Sequence, residues 1–386
     1  MSINTLEKPA ATDDTDIPRL ILTEEQVEAL GRDLDALRAR IVADLGDKDR
    51  EYLYRIVRIQ RGLEISGRAL MYLGFLPPVW IAAVGALSAS KILDNMEIGH
   101  NVMHGQYDWM REAGYNSRDF EWDTVCPADQ WRHSHNYLHH TFTNILGEDR
   151  DIGYGILRMD RDQNWHPYYL GNVAYATALM VLFEWGVMLH DLEIENVVAG
   201  KRRWHDVRGL VGGMWRKARK QVLKDYIIFP ALTGPLFLST LAGNAAANLV
   251  RNLWTYSIIF CGHFPSGTQT FTKEECENET RGRWYLRQML GSANIDGSPL
   301  FHIMSGNLSH QIEHHLFPDL PASRYPEMAP EVREICERYG LPYNTGPLHK
   351  QLLSTWTKIA KLSLPNSWTK DDVDLVVEVV PVAAAS

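Results

Sequence analysis

Residues 131–144 read Trp-Arg-His-Ser-His-Asn-Tyr-Leu-His-His-Thr-Phe-Thr-Asn, and the rest of the chain is read outward from them. Residues four apart on a helix share a face, so His135 and His139 point the same way. His140 lies about 100° further round and reaches a second centre nearby. Two more clusters repeat the idea. His100 and His104 enclose Asn-Val-Met, and His310-Gln-Ile-Glu-His314-His315 comes near the end. A single helical histidine is more often a core or surface residue than a ligand. Three clusters, two of them ending in His-His, form the pattern of a multi-histidine metal site.

Imidazole suits zinc, copper, iron and nickel, so ligand type alone leaves the metal open. A single zinc takes three or four ligands, and about twice that number is on offer. Two adjacent metals account for the surplus. The absence of a His-Glu-x-x-His motif argues against a zinc protease. Two irons held mainly by neutral imidazoles and used with O2 fit the donor set.

The series His100-x3-His104, His135-x3-His139-His140 and Gln311-x2-His314-His315 resembles the three histidine boxes of the integral-membrane fatty acid desaturases. The wording of Asn95-Met-Glu-Ile-Gly-His-Asn-Val-Met-His-Gly105, Cys261-Gly-His-Phe-Pro265 and Gln311-Ile-Glu-His-His-Leu-Phe-Pro-Asp-Leu-Pro321 is similar to the actinobacterial, especially mycobacterial, acyl-CoA desaturases. The likeness spans roughly residues 50–365. It implies an O2-dependent fatty acyl desaturase with a non-haem di-iron centre. Such an enzyme makes a cis double bond in an acyl-CoA, with Δ9 of a C16–C18 saturated chain expected. Rival readings are a front-end desaturase acting at another position, or an oxygen-inserting lipid or alkane hydroxylase of the same superfamily. A membrane metal-binding or transport protein is the non-enzymatic rival, but it would want ligands at the bilayer midplane. Here they sit beside the ends of apolar segments.

The expected metal ligands are His100, His104, His135, His139, His140, His263, His310, His314 and His315. His263 enters because the family places an extra ligand there. The stearoyl-CoA desaturase pattern has an Asn four residues earlier, holding a water on one metal, whereas this chain has Ile259. Asn307, Gln311 and His133 are the alternative ligands. The second and third boxes share the pattern His-amide-x-x-His-His, and five helical steps turn the leading histidine about 140° from the last one. Joint ligation by the leading histidine and both paired ones therefore needs an irregular turn such as a π-bulge. The families lead the second box with histidine, which favours His135. At the third they allow Gln, and His310 is preferred over Gln311 because neutral imidazole is the better iron ligand.

The 386 residues are 45% hydrophobic and 23% charged, with a net charge of −9. That charge density is high for a polytopic membrane protein, so much of the chain must lie in water. No nucleic-acid partner is expected, and the four cysteines lack the spacing of a disulfide framework or an iron–sulfur cluster. The expected fold is all-α and polytopic: about four short transmembrane helices under a cytosolic helical cap that carries the dimetal site. Residues 1–22 read as a disordered tail without a signal peptide. Residues 23–65 read as cytosolic or interfacial helices, opened by the capping box Thr23-Glu-Glu-Gln26. The desaturase domain takes 66–365, with membrane hairpins near 66–99 and 225–262, and 366–386 form a C-terminal tail. The histidines must share one side of the bilayer, so crossings between His140 and His263 must be even in number. Nine basic residues within 201–224 belong in the cytosol, which makes 168–190 an in-plane or protein-covered helix. The hairpin 225–262 then turns near Ala242-Gly243-Asn244. These inferences place the protein in the cell membrane with its site facing the cytoplasm.

Asp94, Glu97, Asp149 and Glu313, with Asp123 and Asp151, are candidates to orient imidazole N–H groups. Trp109, Trp122, Trp131, Trp185, Tyr107 and Tyr154 are candidates to line an acyl tunnel, or to sit at the membrane interface. Arg202, Arg203, Arg216, Lys217 and Arg283 are candidates for CoA phosphates, against a plain role in topology and anionic-lipid contact. No haem signature, Gly-x-Gly-x-x-Gly or ferredoxin pattern is present. Electrons are therefore expected from a separate NAD(P)H-dependent flavin/iron–sulfur reductase or a ferredoxin-type donor.

Overall fold

The computed structural model describes residues 18–193, 196–197, 200, 202–369 and 375–381. Most of the tail expected at 1–22 lies outside them. Among the described residues the structure is mostly helical, with two small parallel two-stranded sheets.

Strand β1 (Arg19–Thr23) pairs in parallel with β4 (Val376–Val380), so the inner edges of both expected tails are ordered. Helix α1 (Glu24–Ala43) starts where expected: Thr23 accepts from the Gln26 amide, and the Gln26 side chain accepts from the Thr23 N–H. Its stripe Val27, Leu30, Leu34, Leu37 and Ile41 is buried to 5% exposure or less. Each such side chain contributes roughly 2 kcal/mol by leaving water. The stripe packs on α8 (Arg281–Leu290) and α10 (Tyr325–Arg338), closing the core over the third histidine cluster. Gly31 crosses Gly282 so closely that a Cβ on Gly282 would meet the Val27 carbonyl.

Helices α2 (Asp47–Met71) and α3 (Pro77–Ile92) form the first hairpin, its turn at residues 72–76. The first arm starts at Asp47, so the expected surface helix and the first half of the hairpin are one element. Proline at the first position of α3 suits a site whose N–H has no helical partner. The helix continues through a π-helical stretch, Leu93–His100, that delivers the first cluster. Helices α4 (Asn172–Val181) and α5 (Phe183–His190) meet at about 100° around Leu182. Helix α6 (Trp204–Val222) runs into another π-helical stretch, Leu223–Ile228.

Helix α7 (Phe237–His263) packs on α3 and ends at His263. The expected hairpin turn at 242–244 is therefore corrected. The chain turns at Thr233–Leu236, where Gly234 takes a φ of 56° and Pro235 follows. Ala242-Gly243-Asn244 has loop composition, yet tertiary partners satisfy it inside a helix. Met71 packs against Gly243, Arg68 donates to Asn244 Oδ1, and Asn244 Nδ2 donates to the Asp225 carbonyl. Strands β2 (Asn294–Asp296) and β3 (Thr345–Pro347) flank α9 (Gln311–Leu316), α10 and the approach to α11 (Leu348–Leu362).

Among the described residues, no single helix is long and apolar enough to cross a membrane; the bent pair Pro167–Val181 and Phe183–His190 passes that test only together. Large apolar side chains are nonetheless exposed around both hairpin turns. Phe75 is 63% exposed, Ile81 65%, Leu232 59% and Leu238 74%.

Candidate metal centre

The second cluster sits on a helix that is α-helical over Ala128–Trp131 and π-helical over Arg132–His139. The irregular turn expected there is present. One extra residue per turn brings His135 round to the face of His139 and His140. The third cluster is different: α9 begins at Gln311, and His310 precedes it with φ −102° and ψ 59°.

These elements gather eight imidazoles. His100, His104, His135 and His314 bring ligand atoms within 4.8 Å of one another; so do His139, His263 and His315. His140 joins the two groups, its ring 4.6 Å from both His104 and His315. The Nε2 atoms of His104, His135, His139, His140, His314 and His315 are buried and have no hydrogen-bond partner.

In five of the eight rings the Nδ1 nitrogen has a partner, whereas His140 Nδ1 is as unpartnered as its Nε2. His135 Nδ1 donates to Asp151 at 2.9 Å and His139 Nδ1 to Asp149 at 3.0 Å. His315 Nδ1 lies 3.0 Å from Gln288 Oε1, and His100 Nδ1 lies 3.1 Å from Asn101 Oδ1. His314 Nδ1 meets the Tyr325 oxygen at 3.3 Å, whose own O–H donates to the Phe317 carbonyl. An acceptor at Nδ1 keeps the proton there and leaves the Nε2 lone pair free, which is the tautomer a metal requires. Burial lowers His104, His140, His314 and His315 well below the ordinary imidazole value, so they are neutral at neutral pH. At His139 burial also opposes the charge, but Asp149 and Asp151 outweigh it and the pKa is raised. The residues fit a pair of imidazole-bound irons.

His310 is not in this group: its ring lies 4.5 Å from His302. The preference for His310 is therefore corrected, because the residue precedes the helix that carries the paired histidines. Gln311 faces the centre instead, with Nε2 3.0 Å from His263 Nε2 and Oε1 buried without a partner. Gly262 makes this possible, since a Cβ there would lie 2.8 Å from the Gln311 side chain. Asn307 turns away to Glu97, and His133 stacks on Tyr137.

Of the proposed orienting carboxylates, Asp149 and Asp151 touch imidazoles. Asp94 accepts from the Asp123 amide, Asp123 pairs with Lys224, and Glu97 binds Tyr52 and Asn307. Glu313 is taken by Tyr343 and Asn294. Gln288, Tyr325 and His190, whose Nε2 lies 3.0 Å from Asp151, were missed, for nothing in their local sequence marks them. The proposed CoA contacts are scattered. Arg283 is held by Glu24, Arg203 by Asp206, Lys217 by Glu121, and Arg202 by Glu193 and the Asp191 carbonyl; Arg216 lies on the polar helix α6.

A cavity beside the centre is bounded by α7 and the α4–α5 bend. Trp122, Trp131, Tyr154, Phe183, Val187 and Ile259 line it, together with His100, His135, His263 and Gln311. Trp109, Trp185 and Tyr107 lie elsewhere, the last buried with Leu53 and Ile56 of α2 and with Ile98 and Val102. Eight inward-facing imidazoles beside an apolar-lined cavity define a desaturase type of centre, and the comparisons agree. The fatty acid desaturase family model matches residues 74–347, and the chain belongs to that family. It is 47% identical over 357 residues to the NADPH-dependent stearoyl-CoA 9-desaturase of Mycobacterium tuberculosis, covering 92% of this chain and 84% of that one. It is 26% identical over 292 residues to the sn-1 linoleoyl-lipid 6-desaturase of Synechocystis, covering 72% and 79% of the two chains.

Proposed function

We propose that this oxidoreductase inserts a cis double bond at Δ9 of a C16–C18 saturated acyl-CoA. The observation that carries the reading is the convergence of unpartnered Nε2 atoms at the mouth of an aromatic-lined apolar cavity. The mycobacterial relative, matched over nearly the whole chain, supports the CoA thioester and the Δ9 position. Two irons would be held by His100, His104, His135 and His314 on one side and by His139, His263 and His315 on the other, with His140 between them. With O2 and two electrons, such a pair supplies the oxidising power to take two hydrogens from an unactivated chain while O2 is reduced to water.

The residues of the chain do the rest. Asp149, Asp151, Gln288 and Tyr325 hold the Nδ1 protons and fix the rings. Trp131 stacks on His135 at 4.5 Å and, with Trp122, keeps water from the channel wall. Gln311, rather than an Asn in the place of Ile259, offers the amide beside His263. The relative's NADPH dependence supports a separate reductase as electron donor.

The exposed apolar girdle at Phe75, Ile81, Leu232 and Leu238 supports immersion of both hairpin turns in the cell membrane. The basic stretch 202–224 supports a cytosolic site, and the 100° bend at Leu182 supports a 168–190 segment that enters and does not cross. Expression in a desaturase-deficient host tests the reading. Recovery of Δ9 monounsaturated chains and two irons per purified chain is expected. A hydroxylated product, or one zinc without iron, would sink it.

A further inference from the structure

The cavity follows one stripe of α7: Arg251, Thr255, Ile259 and His263, each four residues apart, all line it. Twelve residues of helix rise about 18 Å, so His263 at the metal centre and Arg251 mark well-separated ends of the lining. The wall between them is mostly apolar and aromatic, with polar groups at Asn95, Thr124, Ser134 and Thr255, and the Arg251 end carries an ion pair. Arg251 pairs with Glu184 at 2.5 Å, and the two residues are 1% and 8% exposed. Neither charge is fully used: Arg251 Nη1 and Glu184 Oε2 are buried with no hydrogen-bond partner.

The pair is rigidly built. Glu184 stands on the first turn of α5, just past the bend that strips the Val181 carbonyl of a helical partner. Asn252 Nδ2 donates to that carbonyl at 2.9 Å, and its Oδ1 accepts from Arg251 Nε and Nη2 at 3.2 Å. Neighbouring Thr255 donates to Asn95 Oδ1, another lining residue, at 3.1 Å. An ion pair so far from solvent is costly and commonly marks a functional position. It lies some three turns beyond the imidazoles, on a helix proposed to run from the cytosolic face into the bilayer.

We propose that the Glu184–Arg251 pair is the stop of the acyl channel and sets the chain length the enzyme accepts. A methyl end that reaches the pair meets ionised groups it cannot hydrogen-bond, and pushing further would cover them with hydrocarbon. The channel thus measures carbons beyond the reacting pair, while the thioester side fixes the double-bond position.

This inference rests on the acyl-CoA desaturase reading, and one experiment separates the two. Membranes holding the native chain or a variant are given saturated C14, C16, C18, C20 and C22 acyl-CoAs, and products are resolved by length and double-bond position. The double variant Glu184→Leu/Arg251→Leu should raise the C20-to-C18 turnover ratio by roughly tenfold, with the double bond at an unchanged distance from the thioester. Thr255→Phe, which narrows the channel short of the pair, should move the optimum to shorter chains. An unchanged length profile in the iron-loaded double variant overturns the proposal. Should that variant fail to load iron, an unchanged profile in Thr255→Phe does so. Faster turnover of an ω-hydroxy C18 chain than of the plain chain by the native protein would also overturn it, since the pair would then be a polar-ligand site. No double bond from any substrate with the native protein is the failure of the parent reading.

Discussion

The second and third histidine boxes share a six-letter pattern, His-amide-x-x-His-His, and put it to different uses. In the second box, π-helical winding over Arg132–His139 turns His135 inward, and its amide, Asn136, bonds the Met103 carbonyl. In the third, α9 begins one residue later, so His310 falls outside against His302 and the amide, Gln311, faces His263. One residue of helical winding decides which of two neighbours faces the imidazole centre. Ligand spacing in sequence is thus a statement about geometry only once the helix type is known.

The largest effects are expected where the boxes agree. His139→Ala and His314→Ala each remove a buried imidazole whose Nε2 faces the centre and whose Nδ1 is anchored. Both should abolish turnover and reduce iron in the purified chain, whereas His205→Ala, on an exposed side chain, should leave both unchanged. Iron retained at the native level in His139→Ala would break the symmetry between the boxes.

The leading histidines should then part company. His135→Ala should lose iron and activity as His139→Ala does. His310→Ala should keep native iron content, with Gln311→Ala the more damaging change in the third box. If His310→Ala loses iron while Gln311→Ala does not, the α-helical start at Gln311 is not the functional geometry. At the next level, Asp149→Asn and Gln288→Ala disturb the anchors of His139 and His315. A lost anchor of this kind costs metal affinity about 10–100-fold, and competition with a chelator would read it. The charged anchor should cost more than the neutral one.

Much of this centre is legible in the amino-acid sequence. The paired histidines, His263 and the need for an irregular turn at His135 follow from spacing and resemblance, because helical periodicity is local. The capping box at Thr23 and the apolar stripe of α1 are local too. What the sequence leaves dark is tertiary. Gln288 and Tyr325 lie in ordinary helical contexts, and only the crossing of α8 and α10 over α9 brings them to His315 and His314. The turn expected at 242–244 fails for the same reason. A Gly-Asn pair reads as loop, and nothing nearby announces that Met71, Arg68 and Asp225 will claim it. Among the carboxylates, Asp149 and Asp151 follow a positive-φ turn at Asn144 and Gly147, which folds them back onto their own box. Asp94, Glu97 and Glu313 are equally close in sequence but face other partners.

The smallest effect expected is at Asn136, the amide that the second box does not aim at the metals. Its Nδ2 donates to the Met103 carbonyl at 2.7 Å, one residue before His104. That bond ties the second box to the end of the first, so it works on the spacing between them and not on any ligand. A hydrogen bond of this kind is worth about 1 kcal/mol net. Asn136→Ala should therefore lower the melting temperature by a few degrees, keep both irons, and slow turnover only several-fold. Asn136 and Gln311 occupy the same place in the shared pattern, which makes the pair a direct contrast. Gln311→Ala should change the visible or Mössbauer signature of the bound iron, because the lost amide stands beside His263, while Asn136→Ala should leave that signature as it was. A changed iron spectrum in Asn136→Ala with a native one in Gln311→Ala would reverse the roles assigned to the two amides.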